Sequence, residues 1–450
     1  MSKSDTLYGQ KTRFFSLALV LLLSVSYVGY IPSQGDFNQI IIPFLIASLC
    51  YIYLTFKSAN SIHITWFFSL AILSRAVLLF SFPNLSDDIY RFIWDGRCLH
   101  LGISPFQYLP SEIVGKYPSL DNKLFGLLNS PNYYSIYPPV GQAIGYIATL
   151  PIISTHYSSA VIFKGFILAS EIGTIYIGWK LLKRFNLPPK NIFIYALNPL
   201  VIIELMGNIH FEAFMIFFLV LSIYLLLTNR YFGSGLSIAL AICSKLLPLM
   251  LLPLQMIFIK HVKKALFYAL LSAFVSMSLF GIFMNLDVIS NLGSSIGLYV
   301  NKFEFNASIY YLLREVGYLI KGFNTIHIVG PFLSFLTIVL ICGQAIFFYI
   351  KRKSSNDLFH FILMAFCTYL FLAPIVHPWY ICTPLLLCAF TTYRFPVIWS
   401  LLIVFTYFNY SGIEYYENLL IVLIEYMIVF GFLIWEVFRN KKNEISKVVI

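Results

Sequence analysis

Charge is what this sequence has least of. Only 11% of its 450 residues are Asp, Glu, Lys or Arg, and Asp and Glu together number 19. Soluble domains carry about 25% charged residues, so a chain this poor in charge cannot cover a globular surface. Disulfide scaffolds are excluded as well. Six of the seven cysteines fall inside apolar stretches, Cys98 alone sits in a long polar loop, and no zinc-ligand spacing is present. There is no repeat period, no low-complexity tract and no linker, so residues 1–450 read as a single domain.

What fills the sequence is apolar. Hydrophobic residues make up 59% and mean hydropathy is +0.82. Windows near the ~20 residues that cross a bilayer recur at 14–31, 39–56, 62–82, 136–153, 158–182, 190–205, 211–228, 234–258, 265–285, 326–350, 357–374, 378–392, 395–410 and 417–438. The expectation is an all-α, polytopic bundle of roughly fourteen spans. The first run, Phe14 to Ile31, has a basic flank but no small-residue cleavage site, and is read as a retained span.

The net charge of +11 is not a nucleic-acid footprint. Its basic residues cluster between apolar runs, as at Lys11 and Arg13, at 260–264, at Lys351, Arg352 and Lys353, and at Arg439, Lys441 and Lys442. Cytoplasmic loops carry such clusters. With both termini in the cytoplasm, strict alternation places Lys57, 260–264, 351–353, Arg394 and the C-terminal tail inside. It leaves Lys183, Arg184, Lys190 and Arg230 outside, against the rule. Two long loops, 83–135 and 286–325, fall on the outer face.

The first of these loops carries the chemistry. It begins with adjacent Asp87 and Asp88 where a span leaves the membrane, followed by Tyr90, Arg91, Trp94, Asp95 and Arg97. Charges clustered at a lipid–water boundary are costly to hold. A carboxylate there can take a proton from an acceptor hydroxyl, and guanidinium groups can grip a phosphate. The same residues would also serve as a solvated, ion-paired loop with Asp87 capping a helix. Lys245 stands within an apolar stretch, where a lysine costs on the order of 3 kcal/mol. It suits either a phosphate contact or an internal pair with Glu171 or Glu204. Lys164 and Glu171, two helical turns apart, suit a bundle-holding pair. His377, Trp379 and Tyr380 occupy an outer boundary, where interfacial anchoring competes with a functional role.

The run Ser86-Asp-Asp-Ile-Tyr-Arg, Trp94-Asp-Gly-Arg and Gly102-Ile-Ser-Pro-Phe resembles the first-loop signature of integral-membrane glycosyltransferases of the GT-C fold. It is similar to bacterial polyprenyl-phosphate-mannose-dependent mannosyltransferases, and more distantly to GPI-anchor mannosyltransferases. Four further pieces follow in order: Tyr137-Pro-Pro, Asn198-Pro-Leu with Gly207-Asn-Ile-His-Phe-Glu212, Ser244-Lys-Leu-Leu-Pro248, and Phe303-Glu-Phe-Asn-Ala-Ser308. The last contains a glycosylation-like sequon that belongs to the loop pattern. Together they span most of 83–312.

The resemblance implies an inverting hexose transfer, mannose first, from a polyprenyl-phosphate donor to a lipid or glycan acceptor. It implies a site on the outer face of a bacterial inner membrane, with membrane lipids as surroundings. Asp87 matches the family's catalytic base, with Asp88 second. Arg91, Arg97, Lys245 and His377 become candidates for the leaving phosphate, and Trp379 and Tyr380 belong to a Pro-Trp-Tyr element that relatives carry. Distant relatives have Asp-x-Asp where this chain has Asp87-Asp88, so metal-independent chemistry is expected in preference to a divalent metal, with no other cofactor. The rival class is a multi-span transporter or lipid-linked sugar flippase, which commonly shows matching halves; none are found here.

Overall fold

The computed structural model describes residues 3–58, 62–153, 155–351 and 356–448; Arg352 and Lys353 of the basic clusters lie outside them. Every regular element among these is helical, and one isolated parallel bridge joins Phe305 to Ile375. That follows from the composition. Apolar segments in lipid must satisfy their backbone groups internally, and a helix does so within one segment. Six helices are long and apolar enough to cross a membrane: Gly9–Tyr30, Phe37–Ser58, His156–Arg184, Val262–Gly281, Ile326–Lys351 and Leu419–Lys441. A seventh crossing is available to the pair Pro189–Ala196 and Pro199–Gly207, bent by 54°. Shorter apolar helices such as Ile64–Ala76, Glu212–Leu227 and Tyr231–Ser244 pack among them. The chain is an integral membrane protein.

Contacts sort the helix ends into two groups. At one end Arg184 Nη2 donates to the Leu227 carbonyl at 2.9 Å, and Tyr51 Oη donates to the Ile194 carbonyl at 2.8 Å. There too Asn191 Nδ2 donates to the Ala389 carbonyl at 3.0 Å, and the Arg394 amide donates to Glu436 at 2.9 Å. At the other end Tyr30 Oη donates to the Val77 carbonyl at 2.9 Å and Tyr157 Oη to the Phe80 carbonyl at 3.0 Å. Lys245 pairs there with Glu212.

This sorting overturns strict alternation in the middle of the chain. Pro139–Ala148 has ten residues, a length of about 15 Å, too short to cross. It lies instead against Asp88–His100. The two backbones meet so closely that a Cβ on Gly96 would stand 2.4 Å from the Gly145 carbonyl oxygen. His156–Arg184 therefore starts at the same end as the first loop, with the His156 ring 5.8 Å from that of Tyr90. The window 234–258 is not one span either. Its helix stops at Ser244, Lys245 is extended (φ −160°, ψ 138°), and a new turn begins at Leu247. Each change reverses the direction of the chain once.

Inside the bundle the buried charged side chains are hydrogen-bonded, some of them to an opposite charge. Arg75 meets Glu171 at 2.9 Å and donates to the Ala71 and Ala196 carbonyls, while Tyr195 Oη donates to the other Glu171 oxygen at 2.5 Å. Lys164 was expected to pair with Glu171. Its ammonium instead donates to the Leu78 carbonyl at 3.0 Å and to Ser81 Oγ at 2.6 Å. Removing one partner of a buried pair costs about 3–5 kcal/mol, because the other charge is left uncompensated. Arg75→Met should therefore lower the melting temperature in detergent markedly, and Arg75→Met with Glu171→Leu should recover most of the loss. A single variant that melts with the parent would show the pair to contribute nothing.

Candidate functional site

One cavity of about 640 Å³ gathers most of the expected residues. Asp87, Asp88 and Arg91 line it from the first loop, Lys245 from the helix break, and His377, Trp379 and Tyr380 from the linker after Asn356–Leu372. Arg97 does not reach it. Its guanidinium donates to the Ser119 carbonyl at 2.9 Å and lies 3.6 Å from Asp121, tying the first loop to itself.

The two aspartates differ. Asp88 is the first residue of its helix and accepts from Asn129 Nδ2 at 2.9 Å, which occupies one of its oxygens. Asp87 holds the cap position with φ −87° and ψ 0°, yet its side chain makes no capping hydrogen bond. Its carboxylate is exposed on the cavity side. Partial burial, and then the neighbouring Asp88 charge, hold its pKa above the ordinary value of 3.8. Both effects penalise the charged form and make the carboxylate a stronger base.

Arg91 is a brace. Its Nε donates to Asp95 at 2.7 Å, one turn along the helix, and its Nη1 donates to the Ser130 and Tyr133 carbonyls at 3.0 and 2.8 Å. Nη2 is buried without a hydrogen-bond partner among the described residues. Most of the guanidinium is thus committed to holding the 129–135 wall of the cavity.

Lys245 is neither an interior lysine of a continuous helix nor a partner of Glu171 or Glu204. It pairs with Glu212, and its ammonium stands 4.3 Å above the Tyr380 ring. Glu212 opens the helix Glu212–Leu227, where the helix dipole favours an acidic side chain. Nearby, His210, Trp379 and His377 stack face to face, with centroids 3.6 and 4.4 Å apart and planes within 18°. Burial, then Lys245 and His210, push His377 down to about 3. A neutral imidazole donates or accepts one hydrogen bond, but it supplies no charge to a phosphate.

His210, Glu212 and Glu204 were absent from the expected set. Strict alternation had sent their segment to the opposite face. The structure brings it here through a π-helical turn, Ile202–Gly207, followed by Ile209 at φ 62°. A β-branched residue in the left-handed region is a strained outlier, and such strain gathers at functional sites. Glu204 is held by Tyr407 Oη at 2.8 Å and Asn208 Nδ2 at 3.1 Å, and lies 3.3 Å from His210 Nε2. The signal was available in the Gly207-Asn-Ile-His-Phe-Glu212 piece. No third His, Cys, Asp or Glu joins Asp87 and Asp88 as a metal-binding group among the described residues.

A polytopic membrane bundle with a carboxylate-headed cavity beside a paired lysine is the class that fold and site define. The sequence profile of the family described as alpha-(1->6)-mannopyranosyltransferase, N-terminal domain, matches residues 39–261. The chain is 26% identical over 180 residues to alpha-(1->6)-mannopyranosyltransferase A of Corynebacterium glutamicum, covering 39% of this chain and 35% of that one. It is 22% identical over 332 residues to alpha-(1->6)-mannopyranosyltransferase A of Mycobacterium tuberculosis, covering 70% of this chain and 63% of that one. The chain thus spans about a third and under two thirds of these relatives' lengths. The resemblance to GT-C-type mannosyltransferases stands on these matches.

The Lys245 pairing can be checked by stability. Lys245→Met strands Glu212 in a site where its side chain is 2% exposed, so the variant should melt several degrees lower in detergent. Adding Glu212→Leu should restore the melting temperature, whereas adding Glu204→Gln should not. Restoration by Glu204→Gln alone would move the pair to the partner first expected.

Proposed function

We propose that this chain is a membrane mannosyltransferase that moves a mannosyl group from a polyprenyl-phosphate donor to a hydroxyl of a glycan or lipid acceptor, with inversion. The observation that carries this is the placement of Asp87. An uncapped carboxylate with a raised pKa shares one cavity with Lys245, in a chain similar to named mannopyranosyltransferases.

The reaction runs as a single displacement. Asp87 accepts the proton of the acceptor hydroxyl as its oxygen bonds to the anomeric carbon. The bond from that carbon to the phosphate oxygen breaks on the opposite face, and the electron pair leaves with the prenyl phosphate. Lys245 turns from Glu212 toward the phosphate and stabilises the developing charge in a site of low dielectric. His377 contributes a hydrogen bond, and Arg91 keeps the far wall in place. Asp88, pinned by Asn129, holds the Asp87 pKa up. No step needs a metal, because a phosphate monoester on a lipid leaves with Lys245 beside it.

The outer face is the side proposed for this cavity, and charge supports it. With Pro139–Ala148 not crossing and 231–258 folded into two legs, Lys183, Arg184, Lys190 and Arg230 join Lys57, 260–264 and Arg394 at the opposite end. Every basic cluster then obeys the positive-inside rule. A cysteine replacing exposed Lys116 should react with a membrane-impermeant thiol reagent in spheroplasts, and one replacing exposed Arg230 should react only after lysis. The reverse pattern would place the cavity in the cytoplasm.

Asp87→Asn should lower transfer from polyprenyl-phosphate mannose ~10²–10⁴-fold, the usual loss for a general base. The base works only when deprotonated, so wild-type kcat/KM should fall as pH drops through a pKa above 3.8. Asp88→Asn removes the adjacent negative charge and should move that acidic limb to lower pH. Transfer by Asp87→Asn within tenfold of wild type would end its role as base.

A further inference from the structure

The helix Ile309–Lys321 in the second outer loop has no use in the reaction above. Its side chains divide sharply. Leu312, Val316, Leu319 and Ile320 are exposed, at i, i+4, i+7 and i+8, and Phe323 continues the same stripe just past the helix. Leu319 is 87% exposed, so the bundle covers almost none of it. Tyr310 and Tyr311 are buried on the other side. Apolar residues at this spacing form one face of a helix, and in water such a face would be an aggregation liability.

Both ends of the helix meet the ends of spans on the cavity side. Ser308 Oγ donates to the Phe371 carbonyl at 2.8 Å, and Tyr311 donates to Glu417. At the far end Gly317 packs against the entry to Ile326–Lys351, where a Cβ on it would stand 2.1 Å from Thr325 Oγ1. The neighbouring span, which the helix packs against, also exposes Ile328, Phe332 and Phe335. That span is long and apolar enough to sit in lipid, which puts a lipid-facing surface beside the helix.

We propose that Ile309–Lys321 lies on the membrane as an interfacial helix, its apolar stripe seated in the lipids of the leaflet on the cavity side. Such helices bury one face by about 5–10 Å at the boundary of headgroups and acyl chains. The polar side of this one is tied to the cavity. Arg314 Nη1 and Tyr310 Oη donate to the Glu304 carboxylate at 2.5 and 2.6 Å. Glu304 stands between Phe303 and Phe305, both of which line the cavity. Phe305 in turn exchanges backbone hydrogen bonds with Pro374 and Val376 at 3.0 and 2.8 Å, immediately before His377. The lipid-seated helix thereby sets the height of one cavity wall above the bilayer.

The test uses the full chain in phosphatidylethanolamine–phosphatidylglycerol proteoliposomes and needs no substrate, so it stands or falls apart from the transferase reading. Cys342, the exposed cysteine among the described residues, is changed to Ser, and nitroxide labels are placed through Leu319→Cys, Phe323→Cys and Glu315→Cys. Collision with oxygen, which concentrates in lipid, should exceed collision with a water-soluble nickel chelate severalfold at 319 and 323. The ratio should reverse at 315, and the depths at 319 and 323 should be shallow. Dominant nickel collision at 319 would put the stripe in water, and protection from both reagents would put it against another protein. A depth near the bilayer centre would make the helix part of a span. Each of these three results overturns the proposal.

Discussion

A lysine inside an apolar bundle is held there by one carboxylate. The pair between Lys245 and Glu212 joins the open end of the hairpin made by Glu212–Leu227 and Tyr231–Ser244, whose turn end is latched by Ser222 and Ser234 at 3.1 Å. Without Glu212, the ammonium at the end of a broken helix would lose the carboxylate that holds it to the neighbouring segment. With it, two irregular segments stop at the same height, one after Gly207 and one at Lys245. Irregular backbone at membrane depth is tolerated where it lines a cavity. The cavity therefore exists where it does because these two breaks are tied to each other.

The same pair explains why the chemistry is split between loop and bundle. The first loop supplies a carboxylate that has no side-chain hydrogen-bond partner among the described residues, while the bundle supplies a cation that already has a partner. In the proposed reaction the paired lysine reaches the phosphate only by exchange, and the exchange grows more favourable as bond breaking turns the singly charged phosphodiester into a doubly charged monoester in a site of low dielectric. Glu212 then remains close by, with the dipole of its own helix to stabilise it. Arg91 is the counter-example. Its guanidinium is spent on Asp95 and two carbonyls, so its charge shapes the wall in place of gripping a ligand.

Composition made the fold class legible, since so few charges leave lipid as the only solvent. The site was legible where residues are local in sequence, as with Asp87 and Asp88 at the head of the first loop. It failed where position depends on direction. An apolar window of eighteen residues at 136–153 looks like a span, but Pro138 and Pro139 delay the helix, and Gly96 and Gly145 draw it flat against Asp88–His100. A window at 234–258 looks like one span because Lys245 and Pro248 are diluted by leucines. Two such misreadings reverse the chain twice, which leaves the direction of the outer segments unchanged but separates His210 and Glu212 from the cavity they line with Asp87. Partners separated by a hairpin or by distant helices could not be read either, because Glu212 and Lys245 or Arg75 and Glu171 share no local spacing.

Charge then offers a check that hydropathy does not. Under strict alternation Lys183, Arg184, Lys190 and Arg230 violated the positive-inside rule, and all four lay between the two misread windows. Four violations confined to one interval point to a parity error at its borders, because a rule set by insertion acts on every short loop alike. Correcting the borders by geometry alone, with no reference to charge, moves all four to the side of the other basic clusters. Two independent constraints, packing and charge, then agree on one path through the membrane. That path brings Asp87, His210, Lys245 and His377 to a single cavity.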